Sequence, residues 1–236
     1  MTGAFVTLEG GDGSGKTTQA DRLERWLREH GRTVVRTREP GGTDLGLELR
    51  QMLLHRRGHV DPRAEALLYA ADRAQHVATV VRPALERGDV VLQDRYLDSS
   101  VAYQGAGRVL GGDEVRELSL WAADGLLPDL TVLLDLDPTV GRGRREGDGT
   151  RAAWDRLEAE ADEFHGRVRR AYLELADAEP ERFLVVDASL GVDEVAERVL
   201  ARVRQLPGIA DAAAPGDPTS TDPAGTGTGT GTGTEG

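Results

Sequence analysis

The sequence predicts an α/β protein: a five-stranded parallel sheet with helices on both faces, plus a mobile lid. Two observations carry the sheet. Five short apolar runs rich in β-branched residues recur along the chain, at 4–8, 33–37, 89–94, Leu130–Asp135 and Phe183–Asp187. Stretches with helical spacing of apolar residues separate them, which is the pattern of parallel strands joined by helical crossovers. The third observation places the ligand end. A glycine-rich octet reading G-x-x-x-x-G-K-T stands between the first strand and the first helix.

That octet is Gly10, Gly11, Asp12, Gly13, Ser14, Gly15, Lys16 and Thr17. It is the phosphate-binding P-loop pattern, so the fold expected is of the P-loop NTPase type, with ATP on these eight residues. Glycines let backbone N–H groups turn inward around phosphate oxygens, and the helix N-terminus adds partial positive charge. Lys16 would reach the β- and γ-phosphates, and the Thr17 hydroxyl would ligate Mg²⁺. Lys16 is the only lysine in the chain. A compact ammonium fits inside such a loop where a planar guanidinium does not.

In order, residues 4–8 read as the first strand and 18–30 as a helix, with Ala20, Leu23 and Leu27 on one face and Gly31 as its stop. Residues 33–37 form a second strand that runs into the turn-rich stretch 38–43. Residues 44–55 and 62–87 are helical, with a potential break before Pro83. Residues 89–94 are the third strand, and Ser99 to Gly107 reads as a mixed polar segment. Residues 113–123 are helical, and Leu130–Asp135 is an apolar strand suited to burial on both faces. The arginines and glycines of 138–153 suggest a mobile basic loop, with a helix over 154–178. Phe183–Asp187 is the fifth strand, and 192–205 the last helix.

The expected organisation is one domain over 1–205, with a lid at about 139–153 and a disordered Gly/Thr/Pro-rich tail over 206–236. The chain has 236 residues and a net charge of −12. The tail carries four acids and no base, leaving −8 for the rest. Such a balance argues against nucleic-acid or membrane-surface partners, which favour basic proteins. There are no cysteines, which excludes disulfides and thiolate metal sites. With the first strand starting almost at the N-terminus, no targeting leader is expected, and a cytoplasmic location fits.

Asp94, at the end of the third strand, has the position of an acid that shares Mg²⁺ with Thr17. Arg38 and Arg95 follow strands two and three, and Arg50 and Arg73 lie on the helices between. Several arginines near strand ends of an acidic protein suggest an anionic acceptor. These residues leave two readings: a kinase of a small anionic acceptor, or a nucleotide-switch ATPase.

The segments 37–43 (TREPGGT), 94–96 (DRY), 99–105 (SSVAYQG), 126–131 (LLPDLT) and 155–158 (DRLE) resemble, in order, the marker segments of bacterial thymidylate kinases. The resemblance covers about residues 4–205. It implies a nucleoside monophosphate kinase that moves the γ-phosphoryl of ATP to dTMP with Mg²⁺ as cofactor, acting as a homodimer on small molecules alone. It implies that Arg38, Arg50 and Arg95 clamp the dTMP phosphate and that Tyr69 stacks on thymine. Arg73 and Gln104 would hydrogen-bond the base, Tyr103 would pack on the sugar, and Asp12 would lie near the sugar and phosphates. Some members carry a catalytic arginine in the P-loop, where this chain has Gly13; the others supply it from the lid, here Arg144 and Arg151. Together with Lys16, Asp94 and Arg95 these make the expected catalytic set. The alternatives are a deoxynucleoside kinase or a kinase of another nucleoside monophosphate.

Overall fold

The computed structural model describes residues 3–56, 58–147, 155–158 and 160–210, with the side chains of residues 146 and 147 left aside. Five strands form one sheet: β1 (Ala4–Glu9), β2 (Val34–Arg38), β3 (Val90–Asp94), β4 (Leu130–Asp135) and β5 (Phe183–Asp187). Their order is β2-β3-β1-β4-β5, and every pairing is parallel. The carboxyl ends of all five strands therefore share one edge, where ligands of such sheets bind. Register brings Leu8 and Arg38 both beside Asp94 at that edge.

Strand alternation divides the core. Val6, Leu8, Val90, Leu92, Val132 and Leu134 face α1 (Lys16–Glu29) and α9 (Val192–Val203), meeting Leu23, Leu27, Val195 and Val199. On the opposite face Phe5 and Val91 meet Val77, Val81 and Leu85, while Leu133 and Phe183 meet Phe164, Val168 and Tyr172 of α8 (Asp162–Ala178). Each buried leucine or valine side chain contributes about 1.5–3 kcal/mol.

The remaining elements show where local sequence signals mislead. α2 (Asp44–Arg50) continues as a π-helical turn over Gln51–His55, as expected. α3 (Pro62–His76) passes through a π-helical turn, Val77–Val81, into α4 (Arg82–Glu86) without a break. The wider turn lies just ahead of Pro83, the residue that has no N–H to give the helix. The polar reading of 99–107 is corrected: α5 (Leu97–Ser100) runs on as a π-helical segment, Val101–Gly107. Ser100 and Gln104 are buried there, so the buried face carries polar residues and shows no hydrophobic period. α6 (Gly112–Ala122) follows.

The loop expected from 138 onward is also corrected, because α7 spans Pro138–Gly147. Asp137 supplies its start, accepting hydrogen bonds from Thr139 N at 2.9 Å and Thr139 Oγ1 at 2.6 Å. Gly141 and Gly143 lower helix propensity and hide the element from a local reading. The helix expected from residue 154 begins at Asp162; residues 155–158 instead form a turn closed by Asp155 Oδ1 on the amides of Leu157 and Glu158, both at 2.9 Å. Past residue 205, Leu206 and Ile209 are buried in the core, and Pro207–Ala210 forms α10. Packed structure thus extends through Ala210; the expected tail from 211 on lies outside the described residues.

Candidate active site

The P-loop leaves β1 at its carboxyl end and enters α1 through Gly15, whose φ of 91° is left-handed. Gly10 and Gly13 also have positive φ, at 131° and 76°. A Cβ on Gly13 would collide with the carbonyl oxygen of Gly141 in α7. The backbones of P-loop and α7 therefore touch, and glycine is required on both sides, since a Cβ on Gly141 would meet Asp12 O. The Lys16 ammonium folds back on its own loop, donating to Gly10 O at 3.1 Å and Gly11 O at 3.0 Å. Burial and the Arg95 cation hold its pKa below the ordinary value, opposed by Asp94, Asp12 and Glu9.

A cavity of about 790 Å³ opens in front of this loop. Asp12 through Thr17 line it, together with Arg38, Arg50, Tyr69, Arg73, Asp94, Arg95, Tyr103, Gln104 and Arg144. Gly10 and Gly11 sit behind, against a smaller pocket. Arg151 lies outside the described residues.

Three guanidiniums, those of Arg38, Arg50 and Arg95, line the cavity. Arg95 has a left-handed φ of 64°, unusual for a residue with a Cβ. Its side chain donates to Asp12 Oδ1 at 2.8 Å and Ser99 Oγ at 3.3 Å, and lies 5.0 Å from the centre of the Tyr103 ring. Burial works against its charge, yet Tyr103, Asp12 and Tyr172 hold its pKa well above the ordinary value. Burial pushes Asp12 up, but Arg95, Lys16 and Arg145 outweigh it, and the carboxyl ends below its ordinary value. Arg50 donates to Pro40 O at 2.9 Å, and burial plus the cationic Arg38 beside it lower its pKa. Like charges held together in a cavity fit an anionic ligand.

Arg73 is almost wholly buried. It is held by Glu39 Oε2 at 3.0 Å, Ser119 Oγ at 3.1 Å and Ser100 Oγ at 3.0 Å. His76 braces the same Glu39 at 3.0 Å and reaches Thr37 Oγ1 at 2.6 Å. Tyr69 is buried against the cavity, with Leu53, Leu54 and Tyr103 in the same cluster.

The sequence model of the family described as thymidylate kinase matches residues 8–199. The chain belongs to the thymidylate kinase family. A thymidylate kinase of Leifsonia xyli subsp. xyli is 73% identical over 201 residues, covering 85% of this chain and 94% of the relative. One of Clavibacter sepedonicus is 68% identical over 206 residues, covering 87% and 97%. One of Bifidobacterium longum (strain NCC 2705) is 56% identical over 210 residues, covering 87% and 100%. The alternatives in which the chain is a deoxynucleoside kinase or a switch ATPase are not favoured. Among the described residues no helix is long and apolar enough to cross a membrane.

Within this thymidylate kinase-family site the sequence reading missed the second layer of side chains. Glu9, the last residue of β1, is fully buried. It accepts from Tyr96 N at 2.7 Å, Ser99 Oγ at 2.6 Å and Tyr172 Oη at 2.8 Å, and so fixes the turn that carries Arg95. Burial, reinforced by Asp98, pushes its pKa up to about 7. A carboxylate ending an apolar strand just before a glycine loop was the available signal. Tyr172, more than 70 residues beyond Arg95, carried none.

Proposed function

We propose that this chain transfers the γ-phosphoryl group of ATP to dTMP, giving dTDP and ADP. The observation that carries the reading is one cavity lined both by the P-loop with Lys16 and by the guanidiniums Arg38, Arg50 and Arg95. A phosphate monoester has a second pKa near about 6, so the acceptor is already largely dianionic at neutral pH and needs no general base. The task is to bring two anions together, and positioning plus charge neutralisation accomplish it. Lys16 and the P-loop amides hold the donor phosphates. Arg38 and Arg50 clamp the acceptor phosphate, and Arg95 holds it in line with the γ-phosphorus. Tyr69 stacks on the thymine, Arg73 and Gln104 hydrogen-bond it, and Tyr103 packs on the sugar with Asp12 alongside.

A divalent cation fits the remaining polar groups. Asp94 Oδ1 is buried with no hydrogen-bond partner among the described residues, and Thr17 opens onto the same cavity. These two residues would hold Mg²⁺, which would supply charge neutralisation to the phosphate groups. Arg144, on the cavity wall, is the lid arginine that meets the transferring group, with the lid at about 139–153 excluding water. A homodimer is supported by the exposed Leu67 of α3 and Trp121 of α6, and a cytoplasmic location by the use of ATP and the cysteine-free sequence.

The test is ADP release from Mg-ATP with dTMP, thymidine, dCMP, AMP or no acceptor. Turnover with dTMP far above the others is expected. Turnover with thymidine but not dTMP would mean a nucleoside kinase, and acceptor-independent hydrolysis would remove the clamp from Arg38, Arg50 and Arg95.

A further inference from the structure

Glu65 of α3 is fully buried, and three side chains converge on it. Its Oε1 accepts from Gln104 Nε2 at 2.8 Å and lies 3.4 Å from Arg108 Nε. Its Oε2 lies 2.5 Å from Arg156 Nη2. The two arginines are anchored in turn: Arg108 donates to Glu160 at 2.5 Å, and Arg156 to Leu53 O at 3.0 Å. Burying a carboxylate costs several kcal/mol without such partners. Nothing in the phosphate chemistry of the site requires it, since Glu65 is not among the residues lining the cavity. Gln104 does line it.

We propose that Glu65 is a positioning residue that determines base specificity by locking the orientation of the Gln104 amide. The two ends of a glutamine amide have the same shape and opposite hydrogen-bonding character, so the partner decides which end faces the ligand. A carboxylate facing two guanidiniums accepts and does not donate. Only the NH₂ end of Gln104 can turn to it, which leaves the carbonyl oxygen as the polar atom for a base. A carbonyl there accepts from the N3–H of a thymine or uracil ring. Cytosine presents an acceptor at N3, and two opposed acceptors go unpaired, a loss of about 1–3 kcal/mol. This rests on the reading of Gln104 as a base contact and adds what sets its polarity.

The experiment compares kcat/KM for dTMP and dCMP in wild type, Glu65→Gln and Glu65→Asp. A glutamine at 65 can donate or accept, so the Gln104 amide is released to turn. The dTMP-to-dCMP ratio should fall at least about tenfold in Glu65→Gln, with KM for ATP unchanged, and Glu65→Asp should retain the ratio. A folded Glu65→Gln enzyme with the wild-type ratio would overturn the proposal. Should Glu65→Gln not fold, wild-type protein labelled with ¹⁵N-glutamine decides it. The Gln104 NH₂ signals, identified by their loss in Gln104→Glu, should be protected from exchange both without and with dTMP. Exchange as fast as that of an exposed glutamine amide, in either state, overturns the proposal. Wild type that turns over dCMP as well as dTMP overturns the base-contact reading itself, a different failure from an unchanged ratio in the variant.

Discussion

Asp12 of the P-loop and Arg95 beyond β3 form an ion pair at 2.8 Å across the mouth of the cavity. It joins the P-loop to a guanidinium from beyond β3 that lines the same cavity. Both side chains are partly exposed, at 31% and 19%, so the pair's value lies in orientation more than in stability. Asp12→Asn should leave the fold and nucleotide binding nearly unchanged. It should lower kcat/KM for dTMP about 10–100-fold, because Arg95 loses the partner that aims it. Steady-state kinetics beside ATP titration of the free enzyme measure this, and an unaltered kcat/KM would remove Asp12 from the acceptor side.

Among the described residues, the Lys16 ammonium donates hydrogen bonds to the carbonyls of Gly10 and Gly11 of its own loop. Lys16→Ala should therefore abolish ADP release while the circular dichroism spectrum and melting temperature stay close to wild type. Activity within a few-fold of wild type would overturn the P-loop assignment.

Gly13 meets the carbonyl of Gly141 with no space for a Cβ, and its φ is 76°. Gly13→Ala combines a left-handed backbone with a clash, and should cost about 1–3 kcal/mol in a urea denaturation series. It should also push α7 and Arg144 away from the P-loop, lowering kcat more than KM for dTMP. A stable, fully active Gly13→Ala enzyme would show that the contact is dispensable.

Glu9 predicts a pH dependence of stability. Its pKa is raised from 4.5 to about 7 by burial first and Asp98 second. Between these values the folded state binds more protons than the unfolded state, so stability declines as pH rises through this window. The full effect is on the order of 3 kcal/mol. Asp72, raised to about 6 by burial and Glu39, acts in the same direction. Denaturation midpoints at pH 5 and pH 8 should differ less in Glu9→Gln than in wild type. Equal differences would mean that Glu9 is not the group that titrates.

Periodicity, glycine placement and the octet were enough to read the sheet and the edge of it that carries the P-loop. Strand signals are short-range: Val6, Leu8, Val90 and Leu92 alternate because one side of each strand faces α1 and α9. P-loop residues are likewise contiguous, and their backbone geometry is local. Tertiary structure alone decided what those residues lean on. Glu9 with Tyr172, Arg73 with Ser119, and Glu65 with Gln104 and Arg156 are separated by 39 to 163 positions. No local preference encodes such pairs. α7 escaped for a related reason: its glycines argue against a helix locally, and only the close approach of Gly141 to Asp12 explains why a glycine stands there. Buried polar side chains need partners wherever the fold brings them, and the sequence lists the partners without saying which will meet.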